Sequence, residues 1–337
     1  LVSNGGAYAS TGPFVTRRAV AMCTGPYRIP NVHLVGKSVY TNTPFCGSFR
    51  GFGIPQVTFA IESQMDDLAQ RLGLDPLELR LRNAFEPGSE TATRQVLGES
   101  VGLKQTLEAV RSHYVEARRL AEGQQGTGEV RRGVGVASYW GAIGLEETTD
   151  YAEARLELQA DGRLCLYTGS TDTGQGTHTI LAQIVSEVMG LPMESIIVEG
   201  RDTAVTPDCF SGSASKQTMN SGNAVLQASR KLRDAILDIG ARAVEQRAED
   251  LYLADGFLLS RVDHDLRVPL EKVASWGREA GVPQEASARE EVPLPEFDPI
   301  DGHGVLTPCY TFATQVAEVE VNMRTGEVQV VRVVAAQ

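Results

Sequence analysis

The chain has 337 residues, 42% of them hydrophobic and 22% charged, with a formal net charge of −12, enough for two domains or one large one with a buried core. The acidic balance and the lack of a continuous basic stripe argue against a nucleic-acid partner, and no apolar run reaches the length of a membrane span. Five cysteines (Cys23, Cys46, Cys165, Cys209, Cys309) never fall in a CxxC spacing, which speaks against a thiolate metal site or a disulfide framework and for a reducing, cytoplasmic setting.

In chain order, Val2 to Tyr8 reads as a strand and turn, and Val15 to Met22 as a short helix carrying Arg17 and Arg18. Alternating Val32, Leu34 and Val39 within Gly25 to Asn42 suggest strands broken by turns. The stretch Thr43 to Gln56, TPFCGSFRGFGIPQ, sets three glycines around Phe49-Arg50-Gly51-Phe52. Glycine permits positive φ and close backbone approach, and arginine offers a rigid donor fork to oxygen-rich groups. A large anionic cofactor and a simple turn fit this stretch about equally well. Phe59, Ile61, Met65, Leu68, Ala69 and Leu72 then recur at helical spacing up to Gly73. Asp75-Pro76-Leu77-Glu78 opens a further helix with an aspartate cap, proline at the first position and glutamate at the third.

Asn83 to Gly102 is polar and irregular and is expected to hold a domain boundary. A helix follows over Gly102 to Glu122, then a loop to Gly128, a strand over Val134 to Trp140 and a hairpin over Ala154 to Gly169 turning at Asp161-Gly162. Gly176 to Met189 reads as a helix stopped by Gly190, and Ser195 to Val198 as a strand able to pair in parallel with the one before that helix. A long helix is expected over Gly222 to Glu249, a hairpin at Asp255-Gly256, a long loop over Ser275 to Gly304, and a last hairpin at Thr325-Gly326. Mixed strands, helices and hairpins point to an α+β class with mixed sheets. The start at Leu1 and the strand-like end at Val330 to Ala336 suggest a piece of a longer polypeptide.

Two further loops could carry chemistry. Gly169 to His178, GSTDTGQGTH, lies between a strand and a helix, where free amides and the helix dipole would favour an anion. It is not a phosphate loop of the nucleotide-binding kind, because Gln175 stands where lysine is required and Gly176 where a hydroxyl is required. Gln175 offers instead a neutral amide that both donates and accepts. Ser211 to Thr218, SGSASKQT, again precedes a helix; Ser213 to Lys216 satisfies the S-x-x-K of serine acylases, and Ser221-Gly222-Asn223 echoes its companion, but K-T-G is missing. His178 reads as a capped or solvated side chain, Asp172 as a residue ordering its own turn, and Glu146-Glu147 have no acid–base partner. No H-x-x-H or Cys/His cluster supports a metal held by side chains.

Together GPYRIPN (Gly25 to Asn31), YTNTPFCGSFRGFGIPQ (Tyr40 to Gln56), DPLELRLRN (Asp75 to Asn83), GSTDTGQGTHT (Gly169 to Thr179), GSASKQTMNSGNAV (Gly212 to Val225) and AEVEVNMRTGEV (Ala317 to Val328) resemble the large molybdenum-cofactor-binding subunit of the xanthine dehydrogenase and aldehyde oxidase family. The resemblance implies a pyranopterin cofactor, molybdenum-molybdopterin or its cytosine dinucleotide, whose dithiolene holds the metal. It implies residues 1–95 as the second half of one cofactor-binding domain and 96–337 as the first part of another. It implies that Phe49, Arg50 and Gly51 pack over the cofactor, with Arg50 and Ala214 beside the molybdenum without ligating it. It implies that Gly174, Gln175, Gly176 and Thr177 hold the pterin and that Gly212, Ser213, Ala214 and Ser215 contact it, with Ser213 and Ser215 donating to its polar arm. Phe52 and Arg18 match substrate-contacting positions, and Tyr139 belongs to Ser138-Tyr139-Trp140, which replaces a second stacking phenylalanine and puts xanthine itself in doubt. Gly47 stands where carbon monoxide dehydrogenases carry a cysteine, which disfavours that activity. The reaction implied is hydroxylation of an aldehyde or N-heterocycle carbon with oxygen from water, electrons leaving through 2Fe-2S and FAD partner subunits. The general base of the family, a glutamate after glycine, would lie beyond Gln337. The competing expectations are a non-catalytic scaffold and the S-x-x-K hydrolase.

Overall fold

In the computed structural model, which describes residues 1–8, 10–123, 128–144, 149–293, 296–298 and 300–337, the apolar side chains sort into two separate cores. They belong to two compact units, Leu1–Glu146 with Pro295–Gln337, and Glu147–Leu294. The first elements are β1 (Val2–Gly6), α1 (Gly12–Met22), β2 (Lys37–Tyr40), α2 (Ile54–Leu72), α3 (Pro76–Asn83), α4 (Leu103–Gly123) and β3 (Val130–Ile143). Then follow β4 (Asp150–Leu158), β5 (Leu164–Thr168), α5 (Thr177–Met189), β6 (Ile196–Glu199), α6 (Gln217–Val244), β7 (Leu251–Ala254), β8 (Phe257–Ser260) and β9 (Arg267–Pro269). The last are α7 (Leu270–Glu279), β10 (Glu285–Val292), β11 (Cys309–Asn322) and β12 (Val328–Ala336). This is the α+β, mixed-sheet class expected from the sequence.

In the first unit, β1 and β2 pair in parallel, and β11 lies between β12 and β3 in an antiparallel sheet. That long pairing draws residues after 295 back onto the unit formed by the start of the chain. Period-two alternation in β3 buries Ser138 and Trp140 on one face and turns Tyr139 to the other. Trp140 stacks on Tyr310 (4.8 Å), meets Phe85 edge-on (5.2 Å) and donates to the Met22 carbonyl (3.3 Å). It is therefore a core residue and not a wall of a binding pocket. α2 ends at Gly73 in the left-handed conformation. It buries Ile54, Val57, Met65 and Ala69, while Phe59 and Leu72, expected from their spacing to share that apolar face, are 79% and 62% exposed. Asp75 caps α3, accepting from Leu77 N (2.8 Å) and Glu78 N (3.2 Å), a contact worth about 1 kcal/mol.

In the second unit, β10, β4, β5 and β6 form a sheet in that order, with β6 parallel to β5 as its position after α5 requires. Leu181, Val185 and Met189 of α5 and Val225, Leu232 and Ile236 of α6 bury completely in the same core as Leu156, Leu164 and Leu166 of the sheet. β7, β8 and β9 make a smaller meander, turning at Asp255 and Gly256 with positive φ at both. The stretch from Ser275 to Gly304, expected as a loop, instead contributes the end of α7 and the whole of β10. β10 pairs antiparallel with β4 over its full length, and its inward positions are filled by Ala286 and Ala288, too small to show as a hydrophobic period among Glu285, Arg289, Glu290 and Glu291. α6 begins at Gln217, five residues before the expected Gly222, so the second half of the SGSASKQT motif is the entrance to a helix.

Candidate functional site

The loop from Thr43 to Gln56 closes against α2 through three successive left-handed residues, Gly51 (φ +93°), Phe52 (φ +50°) and Gly53 (φ +90°). At Gly53 a Cβ would stand 2.5 Å from the Val15 carbonyl oxygen, so the glycine is what lets α2 start against α1. Phe52 holds the same conformation with a side chain, at a cost on the order of 1–3 kcal/mol, and such strain gathers at functional sites. Its ring lies under the guanidinium of Arg18, 5.6 Å from the centroid. Arg18 is buried, and donates to the carbonyls of Gly144 (2.7 Å) and Ala142 (3.5 Å) at the end of β3. Burial pushes the Tyr139 phenol up from its ordinary value, and the nearby Arg18 charge opposes that shift. The three residues expected to face substrate, Arg18, Phe52 and Tyr139, thus converge within the first unit. Phe49 and Arg50 stay exposed, Phe49 at 85%.

A buried polar network behind this loop was not read from the sequence. Glu62 of α2 accepts from Tyr27 Oη (2.5 Å), Arg80 Nε (2.8 Å) and the amide of Ser138 (2.9 Å). Arg80, with no exposed surface, also donates to the carbonyls of Glu62 and Pro76 and pairs with Asp66. Tyr27 belongs to GPYRIPN and Arg80 to DPLELRLRN, so two of the sequence motifs are tied to α2 through one carboxylate. The only sequence signal was a lone glutamate at an inward helical position.

In the second unit the Gly169–His178 loop is organised by its own acid. Asp172 Oδ1 accepts from the amides of Gly174 (2.9 Å) and Gly176 (3.3 Å), and Oδ2 from the amide of His178 (3.1 Å). Hydrogen bonds from the Gly174 and His178 amides hold its carboxyl below the ordinary value. Three of the amides expected to be free for an anion, those of Gly174, Gly176 and His178, are therefore occupied, and Asp172 does order its own turn. Gln175 is likewise engaged, donating to Thr171 O and Thr177 Oγ1 (both 2.8 Å) and accepting from the Thr173 amide (2.6 Å). A Cβ at Gly174 or Gly176 would meet nothing within 4 Å, so both are glycine for their positive φ, and the space beside them is open. His178 bonds through Nε2 to the Ser170 carbonyl (2.9 Å), a structural contact. Glu146 and Glu147 lie outside the described residues.

The neighbouring loop carries a second cluster of strain, with Phe210 (φ +46°), Ala214 (φ +66°) and Ser215 (φ +56°) all left-handed. Ser213 is exposed and shares a hydrogen bond with Ser211 Oγ (2.8 Å), whereas Lys216 is buried in an ion pair with Asp150. The S-x-x-K pattern is thus not assembled as a nucleophile and its base. At the first turns of α6, Asn220 is 2% exposed, yet its Nδ2 and Oδ1 have no partner, and Gln217 Nε2 is also buried and unpartnered. Ser170 Oγ donates to Ser221 Oγ (2.6 Å), which donates to Gln217 Oε1 (2.8 Å), linking the Gln217 amide to the Gly169 loop. An orphaned buried polar group costs roughly 1–3 kcal/mol. Buried amide donors and acceptors of this kind fit a pterin ring, whose edge alternates donors and acceptors. Among the described residues no three His, Cys, Asp or Glu side chains gather to hold a metal.

Two molybdopterin cofactor-binding domains match the chain, one over residues 1–84 and the other over residues 108–337. The putative xanthine dehydrogenase molybdenum-binding subunit XdhA of Escherichia coli is 36% identical over 266 residues, 77% of this chain and 35% of that protein. A probable xanthine dehydrogenase subunit of Bacillus subtilis is 34% identical over 337 residues, 98% of this chain and 43% of that protein. The solved aldehyde oxidoreductase of Desulfovibrio gigas superposes with a TM-score of 0.82 at 28% identity, covering 99% of this chain and 34% of that one. The chain spans between about a third and two fifths of the length of these relatives. It belongs to the molybdopterin cofactor-binding family of the xanthine dehydrogenases and aldehyde oxidoreductases.

Proposed function

We propose that the chain is the cofactor-holding part of a molybdenum hydroxylase that oxidises an aldehyde or N-heterocycle carbon with oxygen from water. The observation that carries this reading is the set of buried, unpartnered amides of Gln217 and Asn220 beside the strained Phe210–Ser215 loop. In the second unit, Gly174, Gln175, Gly176 and Thr177 hold the pterin, while Gly212, Ser213, Ala214 and Ser215 line it, the two serines donating. In the first unit, Phe49, Arg50 and Gly51 pack over the cofactor, with Arg50, like Ala214, beside the metal without ligating it. When bound, the molybdenum–pyranopterin supplies the two-electron oxidation and the activated water. Substrate meets Phe52 and Tyr139 through flat contact, and Arg18, already fixed by the Gly144 and Ala142 carbonyls, orients it. Residues 1–95 and 96–337 correspond to parts of two cofactor-binding domains.

In this reading the general base would be a glutamate supplied from outside residues 1–337, and 2Fe-2S and FAD subunits would take up the electrons. A cytoplasmic setting is part of this reading, and among the described residues no helix is long and apolar enough to cross a membrane. The cofactor is molybdopterin, as such or as its cytosine dinucleotide. A panel of aldehydes and N-heterocycles with a dye acceptor, assayed on the full-length enzyme with its partner subunits, tests the reading. Turnover is expected with one of these classes, and R18Q is expected to raise KM at least tenfold. Absence of turnover with the whole panel, together with covalent labelling of Ser213 by a fluorophosphonate, would transfer the assignment to a hydrolase.

A further inference from the structure

The strained loop that carries Ser213 and Ser215 is pinned at both ends by two consecutive residues at the start of β4. At its entry, Asp208 accepts from Tyr151 Oη and from the Phe210 amide (3.0 Å), and the Phe210 ring lies 5.6 Å from that of Tyr151. At its exit, Lys216 pairs with Asp150, both nearly without exposed surface, and its ammonium sits 5.1 Å above the Phe210 ring. The peptide flanking Asp208 is also held by β4, the Glu153 amide donating to the Asp208 carbonyl (3.1 Å) and Cys209 Sγ to the Glu153 carbonyl (3.1 Å). Between the pins, the described contacts of Ser211 and Ser213 are with each other.

We propose that Asp150 and Tyr151 form a clamp, with Lys216 as its positioning residue, that fixes the Phe210–Ser215 loop in the conformation presenting Ser213 and Ser215 to the cofactor. This rests on the reading of those serines as cofactor contacts. A buried ion pair gains little over an apolar pair of similar volume, because both charges are stripped of water. It does, however, demand one relative placement of its two ends. Left-handed backbone at Ala214 and Ser215 relaxes unless its surroundings over-determine it, and the clamp supplies that constraint where the loop itself makes few contacts. Asp208 holds the entry through Tyr151 and Lys216 holds the exit through Asp150, while the Lys216 ammonium over the Phe210 ring adds a contact on the entry side. Their partners being adjacent on one strand makes the two ends move together.

The test uses the full-length enzyme with its partner subunits and compares wild type with K216M/D150L, in which the pair becomes apolar, and with K216R, which keeps it. The readouts are amide hydrogen exchange of residues 211–215, molybdenum and pterin retained through gel filtration, and the melting temperature. In K216M/D150L those amides are expected to exchange about tenfold or more faster with little change in melting, and retained cofactor to fall in parallel; K216R restores both. Should the double variant not fold, Y151F, which removes the hydrogen bond to the exposed Asp208 and strands no buried charge, is read in the same way. Unchanged exchange in a folded variant overturns the clamp. Faster exchange with full cofactor retention overturns its link to the cofactor. A wild type that holds no pterin overturns the cofactor reading instead, and the exchange rates still decide the clamp.

Discussion

Glu62 shows how much a single carboxylate can organise. Its two oxygens and its carbonyl serve Tyr27, Arg80 and the Ser138 amide inside the core, so removing its charge strands a buried guanidinium. E62Q should cost about 3–5 kcal/mol in denaturant unfolding of the full-length enzyme, and a loss under ~1 kcal/mol would mean that the network is not formed. Burial, and then the Glu62 carboxylate, push the Tyr27 phenol well above its ordinary value. The neutral phenol is the form the fold prefers, so its contribution is complete below the ordinary tyrosine pKa of about 10 and is lost as pH rises through the folded value. Y27F should therefore flatten the alkaline fall in melting temperature; an identical alkaline limb in the variant would contradict this. Asp172 runs the other way. Its carboxyl is depressed by the Gly174 and His178 amides, so the order it gives the loop is present above the ordinary aspartate pKa and lost as pH falls through the lower folded value. Hydrogen exchange at Gly174 and His178 should speed up on acidification in wild type and be fast and pH-flat, after correction for intrinsic rates, in D172N. Asp172 was legible because an aspartate two residues before a glycine makes a local turn. The Glu62 network was not, because its partners lie 35, 18 and 76 positions away along the chain.

At the level of elements, the caps and turns were the readable part, since their causes are local. Asp75 with Pro76, the glycines at 73 and 190, and the Asp-Gly and Thr-Gly turns each act within a few residues of themselves. β10 was not readable, because its inward positions are alanines and only its pairing with β4 makes it a strand. α2 misled in another way: helical spacing found the helix but not the buried side, because Glu62 takes an inward place while Phe59 stands outside. The entry to α2 gives a direct check of the local account. In G53A the new methyl would meet the Val15 carbonyl at 2.5 Å in a left-handed backbone, so a loss of about 2 kcal/mol or more is expected. An unchanged melting temperature would show that α1 and α2 do not meet in this way.

For the whole molecule, the candidate site was legible as a family of loops before it was legible as geometry. The positions that converge in the first unit, Arg18, Phe52 and Tyr139, are far apart in sequence, and β3 rather than any motif brings Tyr139 towards Arg18. In the second unit, the loop glycines were visible, but the buried amides of Gln217 and Asn220 were hidden inside a helix that begins earlier than its pattern suggests. Those two amides carry the central claim, that this chain holds a molybdenum–pterin cofactor. Replacing both by apolar residues of similar shape, Q217M/N220L, removes the hydrogen bonds while filling the same space. The most direct measurement is the molybdenum and pterin content per chain of the full-length enzyme, wild type against this variant, after gel filtration. One equivalent of each in wild type and a loss of at least tenfold in the folded variant is the predicted result; no molybdenum or pterin in active wild-type enzyme would contradict it.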